Sequence, residues 1–373
     1  MTGKRVCFLY IAQHHQVWHS LSVAVAMART WPGLKVEIAA TTRDLLDYVS
    51  GLLEELGGAP IVLVLLPPAW LQRFGSGAPP KAPMLVANAL RLARYDAVVT
   101  PERTTALLRR LGVRHPILVY TQHGAGDREG PFEPRLRLFD LVMAAGPKQR
   151  DRMVGEGWVK PENCAMVGYP KFDLVDALPH RPAPRFAQAA PVVLYNPHFH
   201  PELSSWPKWG RTVLDVFAAN DRYNLIFAPH IRLFEAASTE ERAAFKSFAE
   251  NPRIHVDLGG PAAADMTYTR AADLYLGDVS SQVYEFLRAP KPCLFLNASG
   301  VDWRGDPSFH HWLYGPVLDG VEALIEAVDQ AFAHHEDFRQ AQQTGIAETF
   351  DITDEPASMR AARAIVERLE VRA

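Results

Sequence analysis

The sequence predicts an α/β protein made of two doubly wound parallel-sheet domains that face a central cleft. Three observations carry this expectation. Short apolar runs alternate with helix-like segments through the first half, a proline-dense stretch interrupts the alternation, and the alternation then restarts. At 373 residues, each half is long enough to bury its own core.

In chain order, Val6–Ile11 reads as a strand, His19–Arg29 as a helix, Val36–Ala39 as a strand and Leu45–Leu56 as a helix. Ile61–Leu66, Ala97–Thr100, Ile117–Tyr120, Leu141–Ala144 and Ala165–Val167 continue as strands, with helices between several of them. Such continuous apolar runs belong to parallel strands covered on both faces. The stretch Leu178-Pro-His-Arg-Pro-Ala-Pro184 has three prolines in seven residues and reads as the linker. Beyond it, Val192–Tyr195, Asn224–Phe227, Ile254–Val256, Leu274–Leu276 and Cys293–Leu296 read as strands. Thr212–Ala219, Glu240–Ala249, Ser280–Leu287 and a terminal segment near Pro356–Leu369 read as helices. The expected organisation is a first domain over 1–178, a linker over 179–190, a second domain over 191–345 and a closing segment over 346–373. In open sheets of this kind, ligands bind beyond the carboxyl ends of the strands.

Composition narrows the function classes. Apolar residues make up 48% and charged residues 22% of the chain, as in ordinary globular proteins. A net charge of −3 without a basic stripe argues against nucleic acid as a partner. Cys7, Cys164 and Cys293 lie far apart, each in or beside an apolar run, and read as buried thiols of a reducing compartment. Lys4-Arg5 is followed by too short an apolar run for a secretory signal, and Ala59–Leu71 is too short to span a bilayer and is broken by Pro67-Pro68. The expectation is a cytoplasmic protein, with peripheral docking at the inner membrane face left open.

The most informative stretch runs from Ala272 to Asn297. An apolar strand stops at Gly277-Asp278, and a helix opens on Ser280-Ser281 and carries Glu285. The free N–H groups at such an opening suit phosphate, and two hydroxyls add donors. Ser281 and Glu285 stand four apart on one face, which places a carboxylate where ribose hydroxyls would reach it. A solvated helix with Ser280 as its N-cap satisfies the same spacing.

Asp278-Val-Ser-Ser281, with its aromatic-acidic helix and following Lys291-Pro292, resembles the Asp-Tyr-Ser-Ser motif of the CDP-glycerol glycerophosphotransferase family, the teichoic-acid polymerases and primases. Three further segments are similar to that family in the same order: Tyr120-Thr-Gln-His-Gly124, Val167-Gly-Tyr-Pro-Lys-Phe-Asp173 and Val193-Leu-Tyr-Asn-Pro197. Phe350-Asp-Ile-Thr-Asp354, with Ala357-Ser358 and Arg360, is similar to its closing segment, so the resemblance runs from about residue 115 onward. It implies the GT-B layout of two Rossmann-like domains, with the terminal helix packed back on the first.

The resemblance implies a catalytic base at His123 and a donor-diphosphate contact at His230. The residues themselves allow this. His123 closes a strand between Gln122 and Gly124, where the backbone must turn sharply, and a near-neutral imidazole can take a proton from an acceptor hydroxyl. A turn histidine bonded to backbone fits the same position. At His230 the family's Lys-X-His-Pro pattern loses its lysine and proline, and Arg232 could supply the charge. Donor contact is also expected of Asp278, Ser280, Ser281, Glu285, Asn196, His198 and His200, with Ser204-Ser205-Trp206 available to phosphate or a base. His198 and His200 lack a third ligand, so no metal is expected. His14, His15, Gly124 and Asp127 are expected on the acceptor side, although His19-Ser20 could simply cap a helix. His310-His311, Trp312 and Asp302-Trp303 form a polar-aromatic loop of unassigned role.

The function expected is transfer of glycerol phosphate or a related polyol phosphate from a CDP-linked donor to a hydroxyl acceptor, lipid-linked acceptors included, without a cofactor. Two alternatives stand beside it. One is a sugar-nucleotide enzyme of GT-B architecture, either a glycosyltransferase or an isomerase resembling UDP-GlcNAc 2-epimerase. The other is a non-catalytic nucleotide-binding protein. No Gly-X-X-X-X-Gly-Lys-(Ser/Thr) loop is present, and Gly124-Ala-Gly126 fails the dinucleotide spacing.

Overall fold

A computed structural model describes residues 3–11, 14–67, 80–127 and 133–371. The end of the apolar run over 59–71 falls outside them. The chain divides into two compact units. The first comprises Met1–Ala125, Glu129–Pro179 and Ala347–Ala373, and the second comprises Gly126–Arg128 and His180–Ile346.

The first unit holds a seven-stranded sheet: β1 (Arg5–Tyr10), β2 (Lys35–Ala40), β3 (Ile61–Leu65), β4 (Ala97–Thr100), β5 (Ile117–Tyr120), β6 (Leu141–Ala144) and β7 (Cys164–Met166). Their order is β3-β2-β1-β4-β5-β6-β7, and every neighbouring pair is parallel. Leu9, Val98, Leu118 and Val142 pack in one core with Met84 and Leu85 of the helix Lys81–Leu92. The helix Ala357–Val371 is tied to this unit. The Ser358 N–H donates to Asp173 at 2.6 Å and Lys4 Nζ to the Leu369 carbonyl at 2.7 Å. Gly168 turns with φ +83 against Arg360 and the Asp351 carbonyl, where a side chain would collide.

The second unit holds six parallel strands: β8 (Val192–Asn196), β9 (Asn224–Phe227), β10 (Ile254–Val256), β11 (Leu274–Gly277), β12 (Cys293–Leu296) and β13 (Val317–Leu318). Their order is β10-β9-β8-β11-β12-β13. Tyr195, Leu225, Phe227, Leu276 and Leu294 meet Val213, Leu214 and Phe217 of the helix Trp206–Ala219 in its core. In both sheets the order reverses once, beside β1 in the first and beside β8 in the second. Those two switch points are where such sheets open a crevice for ligands.

The two doubly wound sheets are those the alternation predicts; the differences are local. The first helix begins at Leu21, because His14–His19 forms a 3-10 turn. The segment over 240–249 breaks into Thr239–Ala243 and Lys246–Ala249 where Phe245 turns into the core beside Phe227. The helix over 280–287 shortens to Gln282–Phe286, since Ser280 Oγ accepts the Gln282 N–H at 3.2 Å and stays outside. The helix over 212–219 extends back to Trp206, opened by Pro207 in its first turn. β13 has two residues, too few for an apolar run to announce it.

Candidate functional site

In the first unit the switch point lies between β1 and β4, and the 3-10 turn after β1 carries His14, His15 and His19. β5 ends next door, at Tyr120. Gln122 takes φ 62, unusual for a residue with a side chain, and its amide donates to the Met143 carbonyl at 2.9 Å. Gln149 Nε2 donates to the Gly124 carbonyl at 3.0 Å. The turn is thus pinned from both sides, and it presents a half-buried His123. His123 Nδ1 lies 2.8 Å from the Pro101 carbonyl, which can only accept, so Nδ1 carries the proton and Nε2 keeps a lone pair. Burial lowers the His123 pKa below its usual range, against the opposing pull of Pro101 and Glu102. The ring is a neutral base with Nε2 available.

Burial also holds His19 well below the usual histidine range, and the charges of Lys171, His123 and His15 push in the same direction. Lys171 is itself buried. At the end of β4, burial pushes the Glu102 carboxyl up. Lys81 at 2.5 Å, the Thr104 N–H and Gln16 outweigh it and bring the group down to about 2. Sequence reading missed Glu102 and Lys81; the signal available was Pro101-Glu102 closing a strand beside the switch point. His14 is exposed and pairs with Asp44 at 2.8 Å, its ring edge-on to Tyr48. His15 is half-buried in the same 3-10 turn.

In the second unit the loops after β8 and β11 meet at the switch point. Asp278, fully buried at the end of β11, accepts the N–H of His198 at 2.9 Å and of Ser205 at 2.8 Å through Oδ2. Burial raises its carboxyl to about 7, against the Ser205 hydroxyl and those N–H groups, and Oδ1 has no hydrogen-bond partner among the described residues. Asn196 donates to the Ala228 carbonyl at 2.6 Å and accepts from Tyr275 Oη at 3.1 Å. Asp278 and Asn196 therefore brace the loops from inside. Ser205 Oγ lies 2.8 Å from Tyr195 Oη, Ser204 Oγ takes the Trp206 N–H, and Trp206 stacks on Phe227. These three are likewise part of the fold.

What remains at this end is mostly histidine. His198 Nδ1 accepts the His200 N–H at 3.0 Å, and His230 Nδ1 accepts the Arg232 N–H at 3.2 Å. Each neutral ring therefore holds its proton on Nε2. Burial, followed by the charge of Arg232, lowers His230 to about 4. Phe199 lies between them, with His230 at 4.6 Å and the Arg232 guanidinium at 4.2 Å from its ring. The His200 side chain is exposed. Ser281 makes no capping bond with its hydroxyl and is half-buried. Glu285 is buried, which overturns the picture of a solvated helix carboxylate.

Asp127 moves from where the sequence placed it. Gly126 and Asp127 cluster with the second unit, and the Asp127 carboxylate is buried against Tyr284 and His311. A separate cavity of about 390 Å³, lined by Lys208, Asp302, Trp303, Arg304 and Asp319, opens after β12. Among the described residues, no group of three or more His, Cys, Asp or Glu could hold a metal ion, and no helix is long and apolar enough to cross a membrane.

Solved structures share this architecture. The wall teichoic acid polymerase TagF matches over 99% of this chain and 89% of its own, at 12% identity and a TM-score of 0.64. A UDP-N-acetylglucosamine 2-epimerase matches over 100% and 96%, at 14% identity and a TM-score of 0.61. The fold is GT-B. MnaA of S. aureus, solved with UDP, matches over 99% and 97%, at 16% identity and a TM-score of 0.62. One TagF structure was soaked with CDPG. No protein-family model matches the chain, and no curated protein resembles it in sequence.

Proposed function

We propose that this GT-B protein is a transferase that moves glycerol phosphate, or a related polyol phosphate, from a CDP-linked donor to an acceptor hydroxyl. The observation that carries the proposal is the state of His123. Its Nδ1–H is committed to the Pro101 carbonyl, so Nε2 is free to take the acceptor's proton. The motif holding it, Tyr120-Thr-Gln-His-Gly124, is one of four that resemble the glycerophosphotransferase family in the same order. Donor phosphates fit the second unit, where neutral His230 can donate from Nε2 and Arg232 adds positive charge. Ser280 and Ser281 open the neighbouring turn, with Gly124, His14 and His15 assigned to the acceptor side. Phosphoryl transfer asks for positioning and charge stabilisation, which this set supplies.

A sugar-nucleotide reading has its own support, because the epimerase likeness spans both chains as fully as the TagF likeness does. Fold alone does not choose between them. Incubation with CDP-glycerol or UDP-GlcNAc, following CMP or UDP release, does so. Release of CMP that requires an added hydroxyl acceptor is the expected result. UDP release or epimerised sugar from UDP-GlcNAc, without CMP release, overturns the proposal.

A further inference from the structure

We infer that the Gly126-Asp127 segment is a clamp that positions the Asp278–Ser281 turn, with Asp127 and His311 as positioning residues for the donor. The inference rests on the donor assignment proposed above, but its geometry lies wholly within the second unit. Three contacts seat the segment. Gly126 approaches so closely that a Cβ there would lie 3.1 Å from Ser281 Cβ. Asp127 accepts from Tyr284 Oη at 2.7 and 2.6 Å, which fixes the short helix Gln282–Phe286. The same carboxylate accepts from the His311 N–H at 3.1 Å and from His311 Nδ1 at 2.9 Å.

His311 passes the constraint on. Its Nε2 lies 3.2 Å from the Asp278 carbonyl, which receives the Trp312 indole N–H at 3.3 Å. Since Asp127 and this carbonyl can only accept, both His311 contacts are hydrogen bonds when each ring nitrogen carries a proton. The peptide leaving Asp278 is thus held by two side chains of the 3-10 segment Pro307–Tyr314, and one of these is held by Asp127. Asp127, Tyr284 and His311 are all buried, so water does not compete for these bonds. None of the three needs to touch a ligand. They fix the backbone from which Ser280 and Ser281 project, and a turn left without such support loses its precision.

The position of Asp127 in the chain gives the clamp a second consequence. It lies four residues after His123, and the chain passes from the first unit to the second between Ala125 and Gly126. One short segment therefore carries the proposed base at one end and the donor-turn clamp at the other.

The test uses the full chain with Asp127→Ala, Asp127→Asn and, as a control, Val328→Ala in the core of the same unit. Asparagine preserves most of the geometry: its carbonyl can accept the His311 backbone N–H and Nδ1–H, while its amide donates to Tyr284, whose hydroxyl turns to accept. The Asp278 carbonyl keeps the Trp312 N–H even when a neutral His311 no longer donates to it. CDP and UDP are titrated calorimetrically, and amide exchange is followed over residues 279–283. Asp127→Ala should weaken the better nucleotide by about tenfold or more, the usual scale for a lost supporting contact, and should speed exchange over 279–283. Asp127→Asn should stay within about threefold of wild type, and Val328→Ala should lower only the melting temperature. Unchanged exchange in Asp127→Ala overturns the clamp, as does an asparagine variant as weak as alanine or an equal loss in Val328→Ala. Wild-type protein that binds neither nucleotide refutes the donor assignment instead, and the exchange data still decide the clamp.

Discussion

Replacing Asp278 by asparagine should change how stability depends on pH, in a direction the structure fixes. In the fold burial opposes the charge of the carboxyl and raises its pKa to about 7, from about 3.8 for an exposed aspartate. The native state therefore holds this proton more tightly than the unfolded chain does. The contribution is fully present below pH about 4 and is lost as pH rises through about 7. Each unit of pKa difference is worth about 1.4 kcal/mol, so between pH 5 and pH 8 the wild type should lose roughly 2–3 kcal/mol from this group alone. Asparagine cannot titrate. Its carbonyl can accept the His198 and Ser205 N–H groups, while its amide takes the place of the unpartnered Oδ1 at a constant cost of about 1–3 kcal/mol. The assay is thermal unfolding of both proteins at pH 5 and pH 8. For cooperative unfolding of all 373 residues, the difference in Tm should move by roughly 3–4 °C in favour of the variant on going to pH 8. Parallel curves would refute the reasoning, since they would mean that Asp278 keeps one charge state over the whole range.

Four further outcomes follow from the site. His123→Ala should reduce turnover of the proposed reaction by about a hundredfold at saturating acceptor, the scale of a lost general base, while calorimetry finds donor affinity unchanged. Ser281→Ala should weaken CDP binding roughly tenfold if its hydroxyl donates to phosphate. Ser280→Ala, which removes the acceptor of the Gln282 N–H, should instead lower the melting temperature and leave affinity alone. Lys81→Met removes the main partner of Glu102, and should cost about 1–2 kcal/mol in urea unfolding at pH 7, a figure kept small because Lys81 reaches solvent. Glu102 is held low, so that loss should be present above pH about 4.5 and fade as the pH falls toward 2.

The sheets were legible because a strand buried on both faces must be apolar along its whole length, and Val98, Leu118, Leu225 and Leu294 leave little choice. The strand ends were legible for the same reason, which is why His123, His198 and Asp278 stood out. Their roles were not. Asp278 and Asn196 look like ligand groups in a sequence, but they close the hydrogen bonds of loops that no local pattern pairs. Glu102 and Lys81 meet only because β4 and the helix before it bring residues 21 apart together. Asp127 was the hardest to read: a glycine-flanked turn gives no sign that it leaves one unit for the other, or that its partner stands 184 residues away.

Proton placement is the deeper reason why a histidine-rich sequence could not declare its chemistry. His123, His198 and His230 share one side chain and sit at equivalent ends of their sheets. A backbone carbonyl faces Nδ1 of His123, so that ring exposes a lone pair at Nε2. Backbone N–H groups face Nδ1 of His198 and His230, so those rings carry their proton at Nε2. The first can take a proton; the other two can only give a hydrogen bond. Burial keeps His123 and His230 neutral at pH 7, which preserves the distinction. Under the proposed reaction this is the division needed, with a base for the hydroxyl and a neutral donor for phosphate oxygens. Exchanging the backbone partners would reverse both roles without altering a single histidine.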